Sequence, residues 1–155
     1  MSGTTQMNRY SLREQLADNI INILKLVNEP RISLLTREPF EPDKIAITQF
    51  PAVLVQMDTE SRETITMGAS NVGRRMGTIT YVLRAYVRGT ELDLRRNELI
   101  TAIETELDKD RYLGLASLGV IDSQVTLIEV INRLPPLAEF RIEFQVRYNY
   151  LRGAA

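Results

Sequence analysis

The strongest constraint on the fold is a strict alternation near the C-terminus. Phe140, Ile142, Phe144, Val146, Tyr148 and Tyr150 interleave with Arg141, Glu143, Gln145, Arg147 and Asn149. Period two puts the apolar set on one face of a strand and the polar set on the other. A second run repeats the pattern: Ile79, Tyr81, Leu83, Ala85 and Val87 face one way, and Thr78, Thr80, Arg84, Tyr86 and Arg88 the other. Two long strands with one apolar face each need a layer to cover that face.

Two helical patterns supply the cover. Ser11-Leu12-Arg13-Glu14 reads as a capping box, and Leu12, Leu16, Ile20, Ile23 and Val27 follow on one helical face, widened by Ile21 and Leu24 and closed by Pro30. Thr90-Glu91-Leu92-Asp93 resembles a second capping box. After it, Leu92, Leu99, Ile103 and Leu107, helped by Ile100 and Ala102, form an apolar face that ends near Asp110.

Turn chemistry divides the remainder. Residues 1–9 read as a flexible N-terminal arm. Residues 30–44, with Pro30, Pro39 and Pro42, read as a long surface loop without regular structure. Ile45–Gln49, Ala52–Thr59 and Glu63–Met67 read as short strands, and Val120–Asn132 and Glu139–Leu151 as long strands around Pro135-Pro136. Gly68–Gly77, with three glycines and adjacent Arg74 and Arg75, reads as a protruding hairpin tip. The 155 residues fit one domain. The expected fold is α+β: a mainly antiparallel sheet, two main helices on one face, and a long protruding hairpin.

Composition narrows the chemistry. The chain has no Cys and no His, which excludes disulfides, thiolate nucleophiles, Cys/His metal sites and imidazole acid–base catalysis. Carboxylate, lysine and cofactor chemistry remain, but Lys25, Lys44 and Lys109 are the only lysines among nineteen basic residues. The arginine excess suits fixed contacts to carboxylates, phosphates or interfaces. A net charge of -1 argues against affinity for nucleic acid or membranes spread over the whole surface. No apolar run approaches the ~18 residues of a membrane span, and Met1–Gln6 lacks the order of a signal peptide. Synthesis and folding in a cytosol are expected.

Several patterns resemble sites. Gly68, Gly73 and Gly77 mimic a phosphate loop, but no Gly-Lys-Ser/Thr follows and no helix opens there. Glu104 with Asp108 and Glu60 with Glu63 are acidic pairs; the first reads as a solvated helix face and the second as the flanks of a tight turn. The aromatic face Phe140, Phe144, Tyr148 and Tyr150 reads as core rather than as a base-stacking platform. Arg74 and Arg75 are candidate contacts to a partner or to DNA in a channel. Arg84, Arg88, Arg141, Glu143 and Arg147, on the polar strand faces, are candidate subunit-interface residues. No catalytic, cofactor or metal residues are assigned.

The order of elements resembles a family, the tail terminator or tail-completion proteins of long-tailed bacteriophages. The resemblance rests on the first helix, the glycine-rich hairpin between strands, Arg95-Arg96-Asn97-Glu98-Leu99-Ile100 on the second helix, the Leu113-Gly114-Leu115 connection, and the closing strand Phe140–Tyr148. It covers roughly residues 9 to 151. It implies a non-enzymatic virion subunit of the tail and neck, assembled in the host cytoplasm without cofactors or membrane. Such subunits form a homo-oligomeric, hexameric ring that stops tube polymerisation and offers a docking surface to the capsid connector. The implied partners are other copies, the tail-tube protein, a neck or head-completion protein, and DNA passing without sequence recognition. The alternatives are another neck or tail ring component, either a stopper protein or a tube subunit, and, from a different class, a carboxylate- or Mg²⁺-dependent enzyme.

Overall fold

The structure, a computed structural model, describes residues 11–64 and 74–151, with backbone alone for Thr64, Arg74 and Leu151. In chain order the elements are helix α1 (Leu12–Leu24), strands β1 (Leu34–Thr36), β2 (Ala52–Thr64) and β3 (Arg74–Arg88), helix α2 (Leu92–Leu107), and strands β4 (Val120–Ile131) and β5 (Leu137–Leu151). The strands form one sheet in the order β1-β2-β3-β5-β4. Only β1 runs parallel to its neighbour; β2–β3, β3–β5 and β5–β4 are antiparallel. The α+β class expected from the sequence is the class observed.

Alternation in β3 and β5 builds the core as expected. Ile79, Tyr81, Leu83, Ala85 and Val87 join Phe140, Ile142, Phe144, Val146 and Tyr148 in one buried cluster with Val53 and Val55 of β2. From above, α1 contributes Leu16, Ile20 and Leu24, and α2 contributes Leu99, Ile103 and Leu107. Steps of three and four keep each set on one helical face, and α1 packs beside α2 over the sheet. Ser11 caps α1 as expected, its Oγ accepting from the Glu14 N–H at 3.4 Å. The Glu14 carboxylate does not turn back to complete the box; it takes two hydrogen bonds from Arg37. Thr90 caps nothing. Glu91 sits in the left-handed region at the N-terminus of α2 without a side-chain cap, because the chain turns sharply off β3 and leaves the Thr90 carbonyl facing Arg95 Nε at 2.6 Å.

Residues 30–44 hold more structure than expected. Leu34–Thr36 forms β1 against Ala52–Leu54, and its start is anchored by the Pro51 carbonyl, which accepts from Ser33 and Leu34 N–H groups. A parallel neighbour needs a crossover. Residues 37–51 make it, and part of it passes over the sheet face opposite the helices, where Phe40 meets the Tyr86 ring edge-on at 5.4 Å between centroids. Ile47–Gln49, expected as strand, is a turn of 3-10 helix closed locally, the Gln49 N–H donating to the Ala46 carbonyl and the Gln49 side-chain oxygen accepting from the Ala46 N–H. The crossover explains why Tyr86 is buried although it lies on the polar side of β3.

Glu63 belongs to β2, which continues unbroken to Thr64. Residues 65–73 lie outside the described residues, and with them most of the expected 68–77 tip. Arg74–Gly77 are strand rather than tip. Gly77 is there for closeness: a Cβ at this position would lie 2.3 Å from the Tyr148 ring. Replacing Gly77 with Ala should force Tyr148 out of its place in the core and cost about 1–3 kcal/mol by overpacking, measured by urea denaturation; an unchanged midpoint would refute the close approach.

Candidate functional site

Two groups of polar side chains stand out, one on each face of the sheet. On the face away from the helices, Arg84 of β3 lies directly across from Arg141 of β5. Like charges in opposite positions repel, and Arg141 is neutralised by Glu143, two residues along its own strand, and by Glu129 of β4 at 3.8 Å. These contacts raise the Arg141 guanidinium above its ordinary range, the Glu143 hydrogen bond foremost. Of the five interface candidates, Arg84, Arg141 and Glu143 therefore form one strip. Arg88 and Arg147 lie apart at opposite ends of it. Arg88 faces Leu137 at one end of the sheet. Arg147, exposed near the other, pairs with Thr78 and donates to Met76 Sδ.

On the helix face, Glu60 collects donors from three elements. Arg13 of α1, Arg62 of β2 and Tyr148 of β5 all donate to its carboxylate, whose side chain is only 10% exposed. A bulge brings Glu60 there. The register slips between Met57 and Thr59, so Glu60 pairs with Ile79 and shares its face; without the slip it would point the other way. Tyr148 stacks at 5.6 Å on Tyr150, over which Arg62 lies at 4.8 Å, and the Tyr81 hydroxyl donates to the Arg13 carbonyl at 2.7 Å. Burial pushes the Glu60 carboxyl up, but the hydrogen bonds from Tyr148, Arg13 and Arg62 outweigh it and hold the group below the usual carboxylate range. Tyr148 is pushed up to about 12, by burial first and then by the Glu60 hydrogen bond. The cluster is saturated with partners and ties the first turn of α1 to the sheet.

Glu60 and Glu63, expected to flank a tight turn, do not. They lie within a strand, and only Glu60 is part-buried. The break in alternation at Met57-Asp58-Thr59 was the one signal that could have exposed the bulge. Glu104 and Asp108 stay on α2 and its C-cap. Among the described residues no group of three or more acidic side chains converges on a metal-sized site. Arg75, expected at a mobile tip, lies in β3 between Thr64 and Tyr150. By alternation it shares the face of Ile79, away from the Arg84 strip. The side chain of Arg74 lies outside the described residues.

No protein-family model matches the chain, and no curated protein matches it significantly. The Glu60 cluster carries its own test. Because the folded carboxyl is depressed, its contribution to stability is full above the ordinary carboxylate pKa of ~4.3 and is lost as pH falls through the lower folded value. Glu60→Gln should cost about 1–3 kcal/mol at neutral pH and flatten the acid limb of a stability-versus-pH curve relative to the parent. Parallel acid limbs would refute the assignment.

Proposed function

We propose that the chain works by assembly rather than by chemistry, as a tail terminator: a ring that caps a tail tube, stops its growth and presents a docking surface to the capsid connector. One observation carries the reading. At 15 residues, β3 and β5 span about 50 Å, whereas α1 and α2, at 13 and 16 residues, span about 20 and 24 Å. The sheet outlasts its helical cover. From Met57 to Glu63, β2 exposes every side chain but Glu60 while staying paired to β3 at every residue but the bulged Asp58. A strand end of that length buries little of its own and costs backbone entropy to order; it makes sense as surface held ready for a neighbour.

The mixed-charge strip Arg84–Arg141–Glu143–Glu129 supports the same reading. Paired charges across a sheet face give specificity and register to a protein contact more than they give affinity. A stopper protein of the neck or a tube subunit would draw on the same surfaces, and the modes of assembly separate them. Pure protein should form closed rings in electron micrographs and shorten tubes when mixed with tube subunits; open filaments that grow without limit would show a tube subunit instead.

Arg74 and Arg75 belong to this reading as contacts to DNA in the channel or to a partner. Changing both to Glu should lower retention of DNA in assembled particles while leaving ring formation intact. Full retention by that double variant would remove the pair from the channel.

A further inference from the structure

Two surfaces at opposite sides of the sheet complement each other in shape and charge. The first is a pocket of about 160 Å³ where the chain enters β2, with Ile47, Phe50, Pro51 and Val87 in its lining and Arg88 and Arg95 at its rim. Small-molecule sites usually occupy ~300–1,000 Å³, while a cavity of ~150 Å³ takes a group the size of benzene. The pocket is therefore the size of one side chain. Its cations are also unspent. Arg133 and Arg141 elsewhere on the sheet reach carboxylates, but among the described residues neither Arg88 nor Arg95 does, and Glu98 at the same rim bridges to neither. Arg95 is held in place: its Nε donates to the Thr90 carbonyl, and its guanidinium lies across Gly89, about 3.5 Å from where a Cβ would stand.

The second surface is the free edge of β4, three places from β2 in the strand order. Register shifts between Val120 and Asp122 and between Val125 and Leu127 turn Ile128 and Val130 to the helix side, beyond the reach of α1 and α2. They stay 37% and 50% exposed, and Leu127 on the other face is 45% exposed. On that other face with Leu127, Glu129 keeps a half-exposed carboxylate, loosely held at 3.8 Å from an arginine whose closer partner is Glu143, so the edge carries apolar side chains on both faces and the carboxylate on one. Bulges discourage another strand from zipping onto an edge, so this edge is shaped for side-chain contact.

We propose that the Ile128–Val130 edge of one copy docks into the Arg88/Arg95 pocket of a second copy, an apolar side chain filling the hole and Glu129 pairing with the unspent guanidinium groups. The occupant is identified by complementarity: the pocket offers apolar lining with guanidinium groups that reach no carboxylate among the described residues, and the edge offers apolar side chains with a half-exposed carboxylate held only at 3.8 Å by Arg141. Because the two patches differ, the contact is heterologous and repeats head to tail, closing into a ring when the rotation per copy allows it. The biological setting rests on the ring reading above.

The chain has no cysteine, so Ile47→Cys combined with Val130→Cys reports the contact directly. Mild oxidation should give a ladder of linked species beyond the dimer, while each single variant stops at dimer. In parallel, Arg88→Glu/Arg95→Glu and Glu129→Arg, with folding checked by circular dichroism, should each need at least about tenfold more protein to assemble. A chain carrying all three reversals should assemble again. Absence of the ladder, assembly of either charge variant at the parent's concentration, or failure of the combined variant to recover would overturn the contact. Closed rings that survive both charge variants would leave the ring reading standing with its interface elsewhere. A ladder without any effect on tube length would leave the contact standing and remove the terminator role.

Discussion

The register between β3 and β5 governs the rest of the molecule. Arg74 to Arg88 pair with Leu151 to Leu137 one for one, without a slip. A twisted antiparallel pair of this length imposes its path on the strands at either side, and both respond with bulges, one in β2 and two in β4. Each bulge reverses which side chains face the helices. In β2 that reversal delivers Glu60 to Arg13 and Tyr148. In β4 it carries Val125, Ile128 and Val130 to the apolar side although the sequence there does not alternate. The regular centre thus decides what the irregular margins display.

The same division explains how much could be read from residues alone. The central strands and both helices were legible because their apolar positions keep one period from end to end, and the five polar-face candidates followed from the same count. β1 was not legible: three residues of strand amid prolines owe their state to the Ala52–Leu54 edge and to the Pro51 carbonyl, neither of which is local in sequence. Nor was the role of Glu60, since a carboxylate just after a break in alternation has no assigned face until the register is known. Gly77 misled for a related reason, its closeness to Tyr148 being a property of two strands and not of the turn-like composition around it.

Charge in this protein is largely structural. Arg13 joins α1 to β2, Arg37 joins the β1 exit to α1, Arg111 joins the α2 exit to β4, and Arg133 joins the β4–β5 turn to Glu139. Most of these pairs are too exposed to add much stability one by one. Their effect is geometric, for a planar guanidinium fixes direction as well as distance. The Arg133 pair differs in that the Glu139 side chain is almost wholly buried, with Arg133 lying over Tyr86, so losing Arg133 would leave a buried carboxylate without its ion-pair partner.

The crossover from β1 to β2 makes the two ends of the sheet unlike. Near Tyr86 the strands lie between the helices on one side and the part of the crossover around Phe40 on the other. Toward Arg75, among the described residues, no helix or crossover is seen to cover the sheet, and the backbone ladder among β2, β3 and β5 is joined by side-chain contacts such as Arg62 over Tyr150. Mechanically this is a cantilever: the root is three layers thick and resists bending, while the thin end yields to load at little cost to the core. Local opening follows packing density, so the thin end can adjust its twist to whatever it meets while the root keeps its shape, and the unbroken β3–β5 ladder carries the force between them.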